Sequence, residues 1–257
     1  MELQSDPYER ALMYVALGNF MIASADFESA FNLFDDAVKI GDDFRKDVYL
    51  WTHLYGSRAL AYRRTGDLDK AIIDWEGAAA LLREQGQMWR SAGYINNIGF
   101  LLIRRGELVE AETRLGEALD LVRQDPHLHT EAIVRDSLGY LYTLMDRHNE
   151  AERQLEKSVA IFEKVSDNAQ LIGSLLHLSE LRQRQLYFDE AHELAIKSLD
   201  LASEIKSSQH VADARERLKQ VTIDRVVRTR TESPVFSEVL RVTSINSARP
   251  GRNRDRE

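Results

Sequence analysis

The sequence predicts an all-α solenoid: a stack of antiparallel helix pairs closed by one further helix. Three observations predict it. Alanine recurs at Ala30, Ala71, Ala111, Ala151 and Ala191, at intervals of 41, 40, 40 and 40 residues. A second small residue stands twelve positions before each (Gly18, Ala59, Gly99, Gly139, Ser179), and a third seven positions after (Ala37, Ala78, Ala118, Ser158, Ser198). Around these positions apolar residues follow the helical period, and self-similarity at a fixed period is the mark of a repeat architecture.

Residues 7–23 read as the first helix, with Pro7 in its opening turn after Asp6. Asp26 caps a second, 27–40, in which Phe27, Ala30, Phe31, Phe34, Ala37 and Val38 share one stripe. Gly41 ends it. A long helix is expected from Phe44 to Arg64, stopping at Thr65-Gly66. Asp67 caps its partner, which carries Leu68, Ala71, Ile72, Trp75, Ala78 and Leu82 and ends near Gly86. The third pair is expected at 87–105 and 107–123 around Gly106. Asp125-Pro126 breaks the chain before the fourth pair, 127–145 and 147–164. Asp167-Asn168 opens the fifth, 168–185 and 188–206. Ser207-Ser208 opens a last helix, 209–228. That makes eleven helices and no strand.

The repeat has a packing reason. Helix axes in a pair lie about 8–10 Å apart, and closer approach needs small residues at the crossing. Gly99 and Ala111 are expected to face each other across the turn at Gly106. Tyr62 with Trp75, and Leu102 with Leu115, fill the wedge beside such crossings. One pair cannot bury both faces, so each stacks on the next. The last helix departs from the pattern, with Lys219 and Thr231 where small residues are due. Val211, Ala214, Leu218 and Val221 leave it one apolar stripe, as a capping helix requires. The domain reading is therefore a solenoid over 1–229, with repeats at 8–42, 44–85, 87–124, 127–165 and 168–206. An arginine-rich tail over 230–257 is expected to be disordered, with PVFSEVLRV as a candidate docking segment.

Composition narrows the function. The chain has 257 residues, 44% hydrophobic and 30% charged, with net charge −8. From Arg225 onward there are eight arginines against four acids, so residues 1–224 carry −12. An acidic body disfavours nucleic acid as the main partner, because phosphate binding needs a basic face. There is no cysteine, which removes disulfides, thiolate metal sites and cysteine catalysis and fits the reducing cytoplasm expected here. The acidic opening MELQSDPYER does not read as a signal peptide, and no membrane partner is expected. His127, His129 and Glu131 have ligand chemistry but lie at a turn into a helix. His177 and Glu180 share a helix face without the second carboxylate set of a di-iron bundle. With no phosphate loop, nucleophile elbow or HExxH, the reading is not an enzyme and needs no cofactor or metal.

The repeat resembles the tetratricopeptide repeat family. Gly18, Met21, Ala30, Phe34 and Ala37 fill its pattern positions first. Ala59, Tyr62, Ala71, Trp75 and Ala78 follow, then Gly99, Leu102, Ala111, Leu115 and Ala118, then Gly139, Tyr142, Ala151, Leu155 and Ser158. Ser179, Arg182, Ala191, Ala195 and Ser198 form the weakest set. The match covers residues 8–206, with a period of about 40 rather than the family's 34. It is similar to the longer-helix variant of kinesin-light-chain-like proteins and bacterial peptide-sensing regulators. The resemblance implies a right-handed solenoid of five such pairs with a concave face lined by the first helix of each pair.

Stepping three to four residues along those helices, off the core stripe, gives the candidate peptide-binding set. It is Asn19; His53, Arg63 and Arg64; Trp89, Asn96, Asn97, Phe100 and Arg104; Asp136 and Tyr140; and His177, Glu180 and Arg184. Gly93, Ser57, Leu60 and Ser137 fall on the same face. Asparagine amides grip a peptide backbone, arginines pair with carboxylates, and aromatics anchor side chains. Trp51 falls on the core stripe with Tyr55 and Tyr62. The family's carboxylate clamp is incomplete, because Gly173 and His177 stand where its later Lys and Arg belong. The function expected is a non-enzymatic adaptor holding a protein or peptide segment in its concave groove. The alternative is the effector-sensing module of a bacterial transcription or signalling regulator. The residues leave open whether the chain forms a homo-oligomer.

Overall fold

A computed structural model describes residues 6–44 and 47–231. Among them eleven α-helices follow one another: α1 (Pro7–Ala23), α2 (Phe27–Gly41), α3 (Val48–Thr65), α4 (Leu68–Glu84), α5 (Met88–Arg105), α6 (Leu108–Gln124), α7 (Leu128–Leu144), α8 (His148–Val165), α9 (Asn168–Arg184), α10 (Phe188–Glu204) and α11 (Ser208–Thr231). No strand occurs among the described residues. The boundaries follow the local chemistry. The Asp6 side chain accepts from the Tyr8 amide, that of Asp26 from Ser29, and that of Asp47 from Leu50, so three of the early N-termini are capped by aspartate. Gly66 and Gly106 close α3 and α5 in the left-handed conformation, with φ of 90° and 79°.

One boundary differs from expectation. Helix α3 begins at Val48, not at Phe44, and Asp42–Phe44 form a single 3₁₀ turn. Asp47 explains the later start, since its carboxylate is placed to cap the helix that follows it. Helix α11 runs to Thr231, so the first two residues of the expected tail are helical; the rest of it, 232–257, with its candidate docking segment, lies outside the described residues.

The elements pack as consecutive antiparallel pairs, α1 with α2 through α9 with α10, and α11 lies on α10. The odd-numbered helices also meet one another: α1 packs on α3, α5 on α7, α7 on α9 and α9 on α11. They form the inner layer and the even-numbered helices the outer one. The repeated alanines are fully buried at 30, 71, 111, 151 and 191.

In the first, third and fourth pairs the glycine at the crossing packs closest to the large residue four positions after the alanine. A Cβ on Gly18 would stand 2.5 Å from the Phe34 ring, one on Gly99 2.6 Å from Leu115, and one on Gly139 2.5 Å from Leu155. In the fifth pair the small position is Ser179 and the large one has shrunk to Ala195. There the Ser179 hydroxyl donates to the Ala191 carbonyl at 2.7 Å.

Trp51 is buried in the first core with Leu50, Leu54 and Phe34, and its indole N–H donates to the Phe44 carbonyl at 3.1 Å. The stripe of α11 is buried at Ala214 and Val221 only, as befits a terminal helix packed on one side.

Candidate functional site

A groove of about 820 Å³ runs across the inner layer. Asn19 of α1, His53, Gly56, Ser57, Leu60 and Arg63 of α3, and Tyr94, Asn96, Asn97, Phe100 and Arg104 of α5 line it. Ile133, Asp136 and Ser137 of α7 and Gln170, Gly173 and His177 of α9 complete it. All five odd helices of the repeats therefore contribute. The groove passes between α3 and α5, which approach each other less closely than the other inner neighbours. Through that opening it reaches Leu68 and Trp75 of α4 and Leu101 of α5, core residues that form an apolar floor.

Tyr94 crosses the opening. Its hydroxyl donates to the Thr52 carbonyl at 3.2 Å, and its ring lies where a Cβ on Gly56 would be, 2.7 Å from the hydroxyl oxygen. Burial pushes the Tyr94 phenol pKa up. Neither Tyr94, Ile133 nor Gln170 belongs to the set read from the sequence. Gly56 was a usable signal for the first, because a glycine inside a helix marks close approach by another group.

An aromatic row crosses the far half of the groove. Phe100 and Tyr140 have ring centroids 6.2 Å apart, and Tyr140 stacks on His177 at 4.4 Å with an interplanar angle of 19°. The His177 Nδ1 lies 3.0 Å from an Asp136 carboxylate oxygen. Burial would lower the His177 pKa, but the Asp136 charge and hydrogen bond outweigh it and hold the pKa above the usual histidine range. His53, half-buried beside Arg90, is shifted the other way, first by burial and then by that cation.

The near half is cationic and under-satisfied. Arg63 Nε is buried with no hydrogen-bond partner in the protein, as is Asn96 Oδ1. Burial, with the neighbouring Arg104 and Arg64 charges, lowers the Arg63 pKa, although a guanidinium stays charged at neutral pH.

Of the fourteen candidate residues, the structure brings nine into the groove wall: Asn19, His53, Arg63, Asn96, Asn97, Phe100, Arg104, Asp136 and His177. Tyr140 joins through its stack on His177. Four lie elsewhere. Trp89, in the first turn of α5, stacks on His127 at 4.0 Å, and its amide is held by Asp125 of the α6–α7 turn. Arg64 points back toward α1 and donates to the Ile22 carbonyl at 3.1 Å. Glu180 and Arg184 pair with each other at 3.2 Å and face the α9–α11 junction with Arg217 and Asp224. Trp89 and Arg64 are displaced because another element offers a partner that the helical period alone does not reveal. A Cβ on Gly93, placed on this face by the period, would meet nothing within 4 Å beyond its own helix.

The histidines near the α6–α7 turn also have structural occupations. His127 caps α7, accepting from the Thr130 amide at 3.3 Å. His129 Nε2 meets Asp167 at 2.8 Å, tying α7 to the start of α9. Among the described residues no three His, Cys, Asp or Glu side chains converge on one point, and no helix is long and apolar enough to cross a membrane.

A family model described as tetratricopeptide repeat matches residues 90–164. No curated protein matches the chain. Among solved structures, BtubC (BKLC) from P. vanneervenii is similar at 22% identity and TM-score 0.66, over 78% of this chain and 83% of that one. The apo form of RapI is similar at 15% identity and TM-score 0.71, over 85% of this chain and 84% of that one. A Rap protein complexed with Competence and Sporulation Factor is similar at 16% identity and TM-score 0.69, over 82% of this chain and 62% of that one. At these identities the likeness is one of fold.

Proposed function

We propose that this chain, a solenoid of tetratricopeptide-repeat fold whose residues 90–164 match that family's own model, is a non-enzymatic scaffold that holds an extended protein or peptide segment along its inner groove. One observation carries the reading. A single continuous groove draws lining residues from all five pairs and presents amides, two arginines and an aromatic row above an apolar floor. That mixture suits a peptide. Asn19, Asn96 and Asn97 offer donors and acceptors to a backbone, and Phe100 and Tyr140 offer rigid apolar surface to its side chains. The solved Rap protein complexed with Competence and Sporulation Factor has a similar fold, which supports the reading by analogy only.

The test is affinity capture from a lysate with the full chain and with Asn97→Ala/Phe100→Ala, the variant's folding being verified by circular dichroism. Captured partners should be lost with the variant, and hydrogen exchange in the wild-type complex should slow along α3, α5 and α7. Unchanged capture, or protection confined to the outer helices, overturns the reading.

A second reading, ligand sensing for a regulatory partner, is favoured by the opening between α3 and α5. The two sides of a cleft spanned by one tyrosine can close on a ligand. Small-angle scattering should then show compaction when a captured segment is added back; an unchanged radius of gyration rules the closure out.

A further inference from the structure

The groove reading leaves open what chemistry the bound segment carries, and two arginines answer it. Helices α3 and α5 each end in an Arg-Arg or Arg-bearing last turn: Arg63 and Arg64, and Arg104 and Arg105. Cations at a helix C-terminus complement its dipole, and that alone accounts for their presence. It does not account for how they divide. In each helix one arginine is satisfied by the protein. Arg64 donates to the Ile22 carbonyl at 3.1 Å, and Arg105 pairs with Asp69 at 2.7 Å and Glu107 at 2.6 Å. The other of each pair, Arg63 or Arg104, faces the groove and meets no acid among the described residues. Several other arginines are paired with acids: Arg58 with Asp74, Arg114 with Glu76, Arg147 with Glu112 and Glu150, Arg182 with Glu152. Arg63 and Arg104 stand out because both line one groove, close enough for each to feel the other's charge. Arg63 also has its Nε buried without a partner, which the unbound protein tolerates at a cost that a ligand acceptor would relieve.

We propose that Arg63 and Arg104 seat a carboxylate of the segment held in the groove; this rests on the groove reading and specifies its ligand. A guanidinium fork matches the two oxygens of a carboxylate. The acidic body of the chain repels a dianionic phosphate more than a monovalent carboxylate. The seat lies at the last turns of α3 and α5, not at the positions of the family's own carboxylate clamp, where this chain has Gly173 and His177 on α9. The carboxylate belongs either to an acidic side chain or to the C-terminus of a polypeptide, and the same fork takes both.

The experiment uses three acetylated hexapeptides of Ala, Asn and Phe added to the full chain. One is amidated and neutral, one is the same peptide with a free C-terminus, and one is amidated with a single Ala replaced by Glu. Binding is followed through arginine Nε–H resonances. At least one charged probe should bind about tenfold or more tightly than the neutral one, a gap set by one charge-assisted hydrogen-bonded contact. Arg63→Gln and Arg104→Gln should each remove that advantage, while Arg105→Gln should keep it. Which charged probe gains distinguishes an acidic side chain from a C-terminus. Equal binding of all three probes in the groove overturns the carboxylate seat and leaves the groove reading standing. An advantage that survives both substitutions overturns the seat. So does inorganic phosphate shifting the two arginines when neither charged peptide does, and so does silence with all probes at millimolar concentration. In that last case the groove reading rests on its own capture experiment. Arg104 is exposed, so its variant folds and keeps the test decisive if Arg63→Gln does not.

Discussion

At Gly139 the space for a side chain is already taken. A Cβ there would meet Leu155 Cγ at 2.5 Å and the Leu155 backbone nitrogen at 3.2 Å. Leu155 is fully buried and cannot swing aside. Gly139→Ala is therefore expected to destabilise by about 1–3 kcal/mol, even after the gain in helix propensity. At Gly93, where a Cβ would meet nothing within 4 Å beyond its own helix, the same substitution is expected to stabilise by about 0.5–1 kcal/mol. Thermal melts of the two variants check both signs, and equal shifts would show that helix propensity, not the crossing, governs these glycines. The double variant Gly139→Ala/Leu155→Ala should lose less than the sum of its parts, because the two share one space. The twelve-residue spacing shows in the sequence that a small residue is needed at each of these places. Which large residue it accommodates does not, since that depends on how far one helix slides along the other.

Between elements, two polar contacts set how helices meet. Arg58 of α3 reaches Asp74 of α4 through two hydrogen bonds of 2.7 Å, with the carboxylate side chain only 6% exposed. Asp74→Ala strands a half-buried guanidinium, and unfolding free energy should fall by about 3–5 kcal/mol. Replacing both partners together, as Arg58→Met/Asp74→Leu, should cost far less. A double-mutant cycle by chemical denaturation measures the difference, and equal losses would show that the pair is not coupled.

The second contact joins α7 to α9 through Asp136 and His177, with Glu180 on the same helix, Tyr140 stacked above and the Arg217 charge from α11 opposing protonation. The folded-state pKa of His177 is raised, so the contact's contribution is fully present below the unfolded value of about 6.5. It is lost as the pH rises through the higher folded value. Between pH 6 and 8 the wild type should lose more stability than Asp136→Asn does. Parallel melting curves for the two across that range would remove the ion pair from the account.

Over the whole molecule, stability should be graded. The largest buried cluster joins residues of α3 through α7, from Ala59 to Leu141, while α11 buries only Ala214 and Val221 of its stripe. In a stack held by nearest neighbours the ends open first. Hydrogen exchange should be fastest in α11, intermediate in α1 and α2, and slowest in α5 and α6. A uniform rate would mean that the solenoid opens as one unit.

The sequence by itself determined the periodic part of this protein. The alanines at 30, 71, 111, 151 and 191, the start at Pro7, the cap at Asp26 and the stops at Gly66 and Gly106 are local choices, and a helix's period and ends depend on near neighbours along the chain. Nine of the fourteen candidate groove residues follow from that period, because stepping off the core stripe identifies the opposite face of each helix. Only the tertiary structure decided the rest. Trp89 turned to His127, Arg64 to the Ile22 carbonyl, and Glu180 and Arg184 to each other near α11, while Tyr94 entered the groove beside Gly56. It also decided that α3 and α5 stand apart, opening a cleft to Trp75 and leaving Arg63 and Arg104 without acids. For Trp89, Arg64 and Tyr94 the partners lie about 36–42 residues away, and no pattern within one helix records where a neighbouring helix will place its side chains.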